Sequence, residues 1–175
     1  MTILRLPLAA LGAAALVLAG CASTAANPTA VAQLEPTRGS TAAGSVRFVQ
    51  AGNVVRVSGE VRGLAPNTEH GFHIHEKGDC SSGDGMSAGG HFNPSGQPHG
   101  HFGQGAHHAG DLPSLRADAN GVARVSFETR VFTVGDGGAA DIVGRGLIVH
   151  KDPDDYTTQP TGNSGARLAC AVIKR

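Results

Sequence analysis

With 175 residues, 40% of them hydrophobic and 16% charged, the chain is long enough for one domain with a core and too short for two of ordinary size. Basic and acidic residues balance at 14 each, and losing Arg5 with a leader would leave the rest about one unit negative, which excludes a nucleic-acid partner recognised through bulk charge. The 26 glycines, 9 prolines and absence of tryptophan, with no long helical periodicity after the first twenty residues or so, indicate short strands joined by many turns.

Residues 1–20 carry a single basic residue, Arg5, and an apolar run from Leu6 to Leu18 that is too short for an ordinary membrane span and sits where a secretory signal sits. The run ends Leu18-Ala19-Gly20-Cys21, which is similar to the lipobox of bacterial lipoproteins, whose cysteine is lipidated and becomes the first mature residue. An ordinary export signal with an incidental cysteine is the alternative, and either implies export. Residues 21–43, rich in Ala, Thr, Ser and Pro without periodicity, predict a lipid-anchored flexible tether ahead of a folded domain over 44–175.

From Val46 the pattern has period two. Val55, Val57 and Val61 alternate with Arg56, Ser58 and Glu60, as in a strand with one buried face. Phe72 and Ile74 alternate with His73 and His75, whose side chains then stand roughly 7 Å apart on one face and can converge on one ion. Asn120-Gly121, set between Leu115, Ala117, Ala119 and Ala123, Val125, Phe127, predicts a hairpin. Ile142–His150 and Leu168–Ile173 supply two further β runs, for seven or eight strands in all. Two irregular segments, 76–111 and 151–166, are long enough to be functional loops.

Eight of the nine histidines lie between His70 and Asp111, and the ninth, His150, ends a strand-like run. Neutral imidazole suits zinc, copper, iron and nickel, whereas calcium and magnesium prefer oxygen. At least six well-placed histidines plus Asp111 exceed one tetrahedral site, so two ions are the economical reading. Beyond Cys21, Cys80 and Cys170 form an even pair in an exported chain, open to one disulfide or to two separate buried thiols.

Gly-Phe-His-Ile-His-Glu at 71–76, His-Phe-Asn-Pro at 91–94, His-Ala-Gly-Asp at 108–111, Val-His at 149–150 and Arg-Leu-Ala-Cys at 167–170, in that order, resemble the copper/zinc superoxide dismutase family over about residues 44–175. The resemblance implies an all-β fold, a Greek-key β-sandwich or flattened barrel of immunoglobulin-like architecture with long metal-binding and active-site loops. It implies copper on His73, His75, His91 and His150, zinc on His91, His99, His108 and Asp111, and His91 bridging both as an imidazolate. Copper would oxidise one superoxide to dioxygen and reduce a second to peroxide, with His91 letting go of copper to take up and deliver a proton. Arg167 would guide the anion, Asp154 would link the two metal sites through their ligands, and a Cys80–Cys170 bridge would tie the metal loop to the strand of Arg167.

No organic cofactor follows from the resemblance. His70, His101 and His107 fall outside the family's ligand pattern and are expected to be exposed. The segment after Lys151 is short and lightly charged, so no steering residue carries over, and Lys77 and Lys151 are the nearest candidates. Bacterial relatives include monomers and homodimers, and the sequence chooses neither. The expected setting is the bacterial envelope, periplasmic and anchored through Cys21, with Ala22 after it favouring the outer membrane. A noncatalytic copper- or zinc-binding lipoprotein on the same scaffold is the rival, against which the complete ligand set and Arg167 weigh.

Overall fold

Strands dominate the computed structural model, which describes Met1, Thr2 and residues 26–175. The leader and Cys21 readings lie outside the described residues. In chain order the strands are β1 (Thr29–Pro36), β2 (Ala43–Ala51), β3 (Val54–Arg62), β4 (Glu69–His70), β5 (Phe72–His75), β6 (Leu115–Arg116), β7 (Ala123–Thr129), β8 (Gly146–His150) and β9 (Arg167–Lys174), with one 3-10 turn at Met86–Ala88. Among the described residues no helix is long and apolar enough to cross a membrane.

Seven strands form one antiparallel sheet in the order β5-β8-β9-β1-β2-β3-β7, and β4 and β6 pair separately. After the β1-β2-β3 meander the chain crosses to the far edge as β5, returns to the β3 edge as β7, and crosses again to β8 and β9. The sheet curls around one core. Ala30, Ala32 and Leu34 of β1, Val46 and Phe48 of β2, Val55, Val57 and Val61 of β3, Phe72 and Ile74 of β5, and Ala169, Ala171 and Ile173 of β9 all point into it. Phe48 meets Phe132 edge to face, with ring centroids 6.2 Å apart. The all-β expectation therefore holds, and the alternation in β3 buries the three valines it assigned to the core.

Two expectations need correction. Residues 29–36, read as part of a tether, are β1, paired with β2 on one side and β9 on the other, at the middle of the sheet. Its alternation of Ala30, Ala32 and Leu34 with Val31, Gln33 and Glu35 is built on alanines, which carry little hydrophobic signal but fit where neighbouring strands pack closely. The Asn120-Gly121 turn forms, with Gly121 at φ 73°, yet the strand before it is only two residues long and pairs with β4, while β7 pairs with β3. Asp118 takes over the turn instead, its side chain accepting the backbone N–H groups of Asn120 and Val122 at 2.8 and 3.1 Å.

The two long segments cover the outer faces of β5 and β8, which are buried throughout, and of β9 near Cys170, while Lys174 at its end is exposed. Residues 76–91 are fastened to β9 by the Cys80–Cys170 disulfide, whose Cα atoms are 5.9 Å apart across a sequence separation of 90, and by a small cluster of Ala88, Ile148 and the two half-cystines. This bridge is the pairing that the family resemblance implies. The exposed edge of β5 is closed by chain returning from further on: the Ile74 N–H donates to Gly110 O and the Phe92 N–H to Ile74 O, at 2.9 and 2.8 Å.

Candidate metal centre

β5 places His73 and His75 on the side of the strand opposite Phe72 and Ile74, so the residues that bury in the core also aim two imidazoles outward beneath the loops. β8 pairs with β5 and delivers His150 at its end, just where a bulge shifts the register between Val149 and His150. Two isolated bridges on the free edge of β5, His75 with His91 and His73 with Asp111, bring a third imidazole and a carboxylate alongside. Gly110 makes the second bridge possible, since a Cβ there would run into Ile74 O and the backbone of Phe92.

Two groups of potential ligands result, each with its ligand atoms within 4.8 Å of one another: His73, His75, His91 and His150, and His91, His99, His108 and Asp111. All are buried, and His91 belongs to both. In the first group most outward nitrogens already have partners. His75 Nδ1 is 2.9 Å from Gly89 O, His150 Nδ1 is 3.3 Å from Gly165 O, and His73 Nε2 is 2.7 Å from an Asp154 oxygen. Their other nitrogens face inward, with Nε2 of His75 and His150 3.4 Å apart. His73 Nδ1 and His91 Nε2 are buried with no hydrogen-bond partner. Buried polar atoms without partners are costly, and four inward nitrogens suit an ion better than they suit one another.

The second group converges on one oxygen. Asp111 Oδ1 lies 2.9, 3.0 and 3.3 Å from Nδ1 of His91, His99 and His108, while its Oδ2 accepts the backbone N–H groups of Gly100 and His108 at 3.0 and 2.8 Å. One carboxylate and three imidazoles form the donor set expected of a closed zinc site. Asp154 joins the two groups, one oxygen on His73 Nε2 at 2.7 Å and the other on His99 Nε2 at 2.8 Å. Such carboxylates fix ring orientation and leave the opposite nitrogen free for a metal.

The charge states follow from burial. Burial holds His75 and His150 well below the usual histidine range, lowers His73 despite Asp154, and brings His91 down to about 4 against the pull of Asp111. These rings are neutral at neutral pH, the form that binds metal. His99 is the exception: burial opposes its charge, but hydrogen bonds to Asp111 and Asp154 on its two nitrogens raise it to about 9. Asp111 and Asp154 are held well below the ordinary carboxylate range, because the imidazole hydrogen bonds outweigh burial.

Arg167 begins β9 opposite His150. Its guanidinium donates to Gly85 O and Gly89 O at 2.6 and 2.7 Å, and Gly89 O is also the partner of His75 Nδ1, so one carbonyl ties the arginine to a candidate ligand. The half-buried cation is thereby held on the disulfide-anchored loop. Lys77 and Lys151 are exposed, and Lys77 lies 4.0 Å from Glu76. His101 is exposed as expected, and its ring lies against Tyr156 with centroids 4.4 Å apart; His107 is half-buried. His70, expected outside, is buried: its Nδ1 donates to His150 O at 2.9 Å and its Nε2 meets Thr68 Oγ1 at 2.7 Å. No sequence signal marks it, because its main partner is a backbone oxygen from another strand.

Comparison with known proteins points to one family. A family model described as copper/zinc superoxide dismutase matches residues 42–173. A Cu-Zn superoxide dismutase of Paramecium bursaria Chlorella virus 1 is 43% identical over 136 residues, 74% of this chain and 71% of that protein. One from Aquifex aeolicus is 38% identical over 75% of this chain and 78% of its own length, and one from Onchocerca volvulus is 40% identical over 78% and 90%. The crystal structure of the clock protein EA4 superposes with a TM-score of 0.76 at 37% identity, covering 87% of this chain and 97% of that one. Motif order, the paired ligand groups and the extent of these matches make the chain a member of the copper/zinc superoxide dismutase family, an oxidoreductase that uses copper and zinc and acts on superoxide.

Proposed function

We propose that His73, His75, His91 and His150 hold copper, that His91, His99, His108 and Asp111 hold zinc, and that His91 bridges the two as an imidazolate in an enzyme guarding the cell envelope. The observation that carries this reading is the double membership of His91: Nδ1 lies 2.9 Å from Asp111 Oδ1, and Nε2 is buried without a partner beside the other three copper-side rings. Copper, passing between two oxidation states, supplies the one-electron steps by which two superoxide ions and two protons become dioxygen and hydrogen peroxide.

The chain's own residues divide the remaining work. Arg167, fixed by two loop carbonyls with guanidinium donors to spare, attracts and orients the anion beside His150 and His75. His91 Nε2 is the site where a proton is held and from which it is passed to the reduced oxygen. Asp154 keeps the rings of His73 and His99 in the tautomers that leave one nitrogen of each for metal. Cys21, as a lipid anchor, would place the domain at the membrane surface, a reading supported by Leu18-Ala19-Gly20-Cys21 after an apolar run.

The test is metal content together with the rate of superoxide disproportionation, for the parent, His91→Ala and Arg167→Ala. One copper and one zinc per chain, with turnover reduced by both substitutions, is expected. Full metal content without turnover in the parent would favour the noncatalytic metal-binding reading. For the anchor, a Cys21→Ser variant should leave the membrane fraction, and its retention there would overturn the proposal.

A further inference from the structure

The backbones of the ligands are held unequally. His73, His75 and His150 lie in paired strands, His91 and Asp111 in bridges to β5, and His108 and Asp111 secure one another through a turn. His99 has neither strand nor bridge: residues 97–101 take no regular secondary structure, and its N–H and C=O need partners from elsewhere. Both come from a single side chain 60 positions away. The His99 N–H donates to Gln159 Oε1 at 2.9 Å, and Gln159 Nε2 donates to His99 O at 2.9 Å.

From this we infer that Gln159 is a positioning residue for the zinc side, its amide replacing the strand neighbour that His99 lacks. The inference rests on the reading of His99 as a zinc ligand. Two hydrogen bonds from one planar group to the N–H and C=O of one residue fix the rotation of both flanking peptides, and so the direction in which the Cα–Cβ bond sends the imidazole. Asp154, on the same turn, then fixes the ring through Nε2.

The turn itself is knit firmly enough to serve as a base. The Asp155 carboxylate accepts the N–H groups of Thr157 and Thr158, and the Gly162 N–H donates to Thr158 O at 2.7 Å. Gly162 brings the chain against His99 and Asp154 so closely that a Cβ would overlap Asp154 Oδ1 and His99 Nε2. Residues 154–162 thus hold one ligand by ring and backbone together. Without the amide His99 would be fixed at its ring alone, and zinc would have to order the backbone as it binds. Gln159 is exposed, so its replacement spares the core.

The experiment compares the parent chain with Gln159→Ala, Gln159→Glu and His99→Ala, each competed against a chromophoric chelator for zinc and, separately, for copper. Cobalt(II) loaded at the zinc side reports ligand geometry through its visible absorption. Gln159→Ala is expected to weaken zinc about tenfold, the lower end of what outer partners of metal ligands contribute, to alter the cobalt spectrum and to leave copper affinity unchanged. Gln159→Glu, which keeps the acceptor for the His99 N–H and loses the donor, is expected to fall between. Zinc affinity and cobalt spectrum equal to the parent in Gln159→Ala, while His99→Ala loses zinc, would overturn the positioning role alone. Retention of zinc by His99→Ala would overturn the ligand reading beneath it. Equal weakening of zinc and copper in Gln159→Ala would mark a general loosening and overturn it as well.

Discussion

His70 sits where one side chain can govern two strands. It and Gly71 immediately precede the first ligand strand, and both reach the backbone of His150: His70 Nδ1 donates to its carbonyl at 2.9 Å, and its N–H donates to Gly71 O at 2.8 Å. His150 thus depends on the dipeptide that begins the strand of His73 and His75, at the bulge where β8 loses its regular pairing. Leucine at position 70 would fill similar space and leave the buried carbonyl without its donor, a loss of about 1–3 kcal/mol. His70→Leu is therefore expected to lower the melting temperature and to weaken copper more than zinc, measured by thermal denaturation and chelator competition; unchanged copper affinity would refute the link to His150. The same residue shows what the sequence conceals. The histidine cluster stands out in the letters because metal chemistry restricts which residue types serve, and its division between two ions came from the family resemblance. The importance of His70 and Gln159 comes from main-chain atoms they meet across 80 and 60 positions, and main-chain atoms are the same in every residue.

At the scale of elements, β1 governs whether the sheet exists. It lies between β2 and β9, joining the β2-β3-β7 half to the β5-β8-β9 half that carries the candidate metal centre. A chain starting at residue 44 would leave the edges of β2 and β9 unpaired and remove Ala30, Ala32 and Leu34 from the core. Such a loss exceeds what a domain with a net stability of roughly 5–15 kcal/mol can absorb. Residues 26–175 are expected to fold with the melting temperature of the longer chain, and residues 44–175 to be insoluble or unfolded by circular dichroism; a folded 44–175 would contradict the central place of β1. Strands with valine on one face and charge on the other, such as β3, are legible because transfer energy alone separates the faces. β1 hides because its buried face is mostly alanine, and composition alone makes Ala, Thr and Pro look like linker. Also hidden was the partner exchange at β6: local turn chemistry predicts the reversal at Asn120-Gly121, whereas the partner of the strand before it is set by β4.

For the whole molecule, metal and proton compete for one stability account. Metal that binds only the folded chain adds about 4 kcal/mol at a thousandfold its dissociation constant, and for a domain of this size that is roughly 8–16 °C in melting temperature. Stripping with a chelator should lower the melting temperature accordingly. In the stripped protein His99 rests between Asp111 and Asp154, and its proton is held to about 9. A folded value above the unfolded one of roughly 6.5 means a contribution fully present below pH 6.5 and lost as pH rises through about 9, because over that interval the folded state keeps a proton that the unfolded state has released. Zinc at His99 Nδ1 would take the place of that proton and remove the dependence. The gap in melting temperature between loaded and stripped protein should therefore widen from pH 6.5 to pH 9, and the stripped His99→Gln protein, which has no proton to lose there, should lack the fall in melting temperature that the stripped parent shows over this interval. A gap that stays constant over this interval in the parent chain would show that the Asp111–His99–Asp154 trio does not carry the charge that holds the empty centre together.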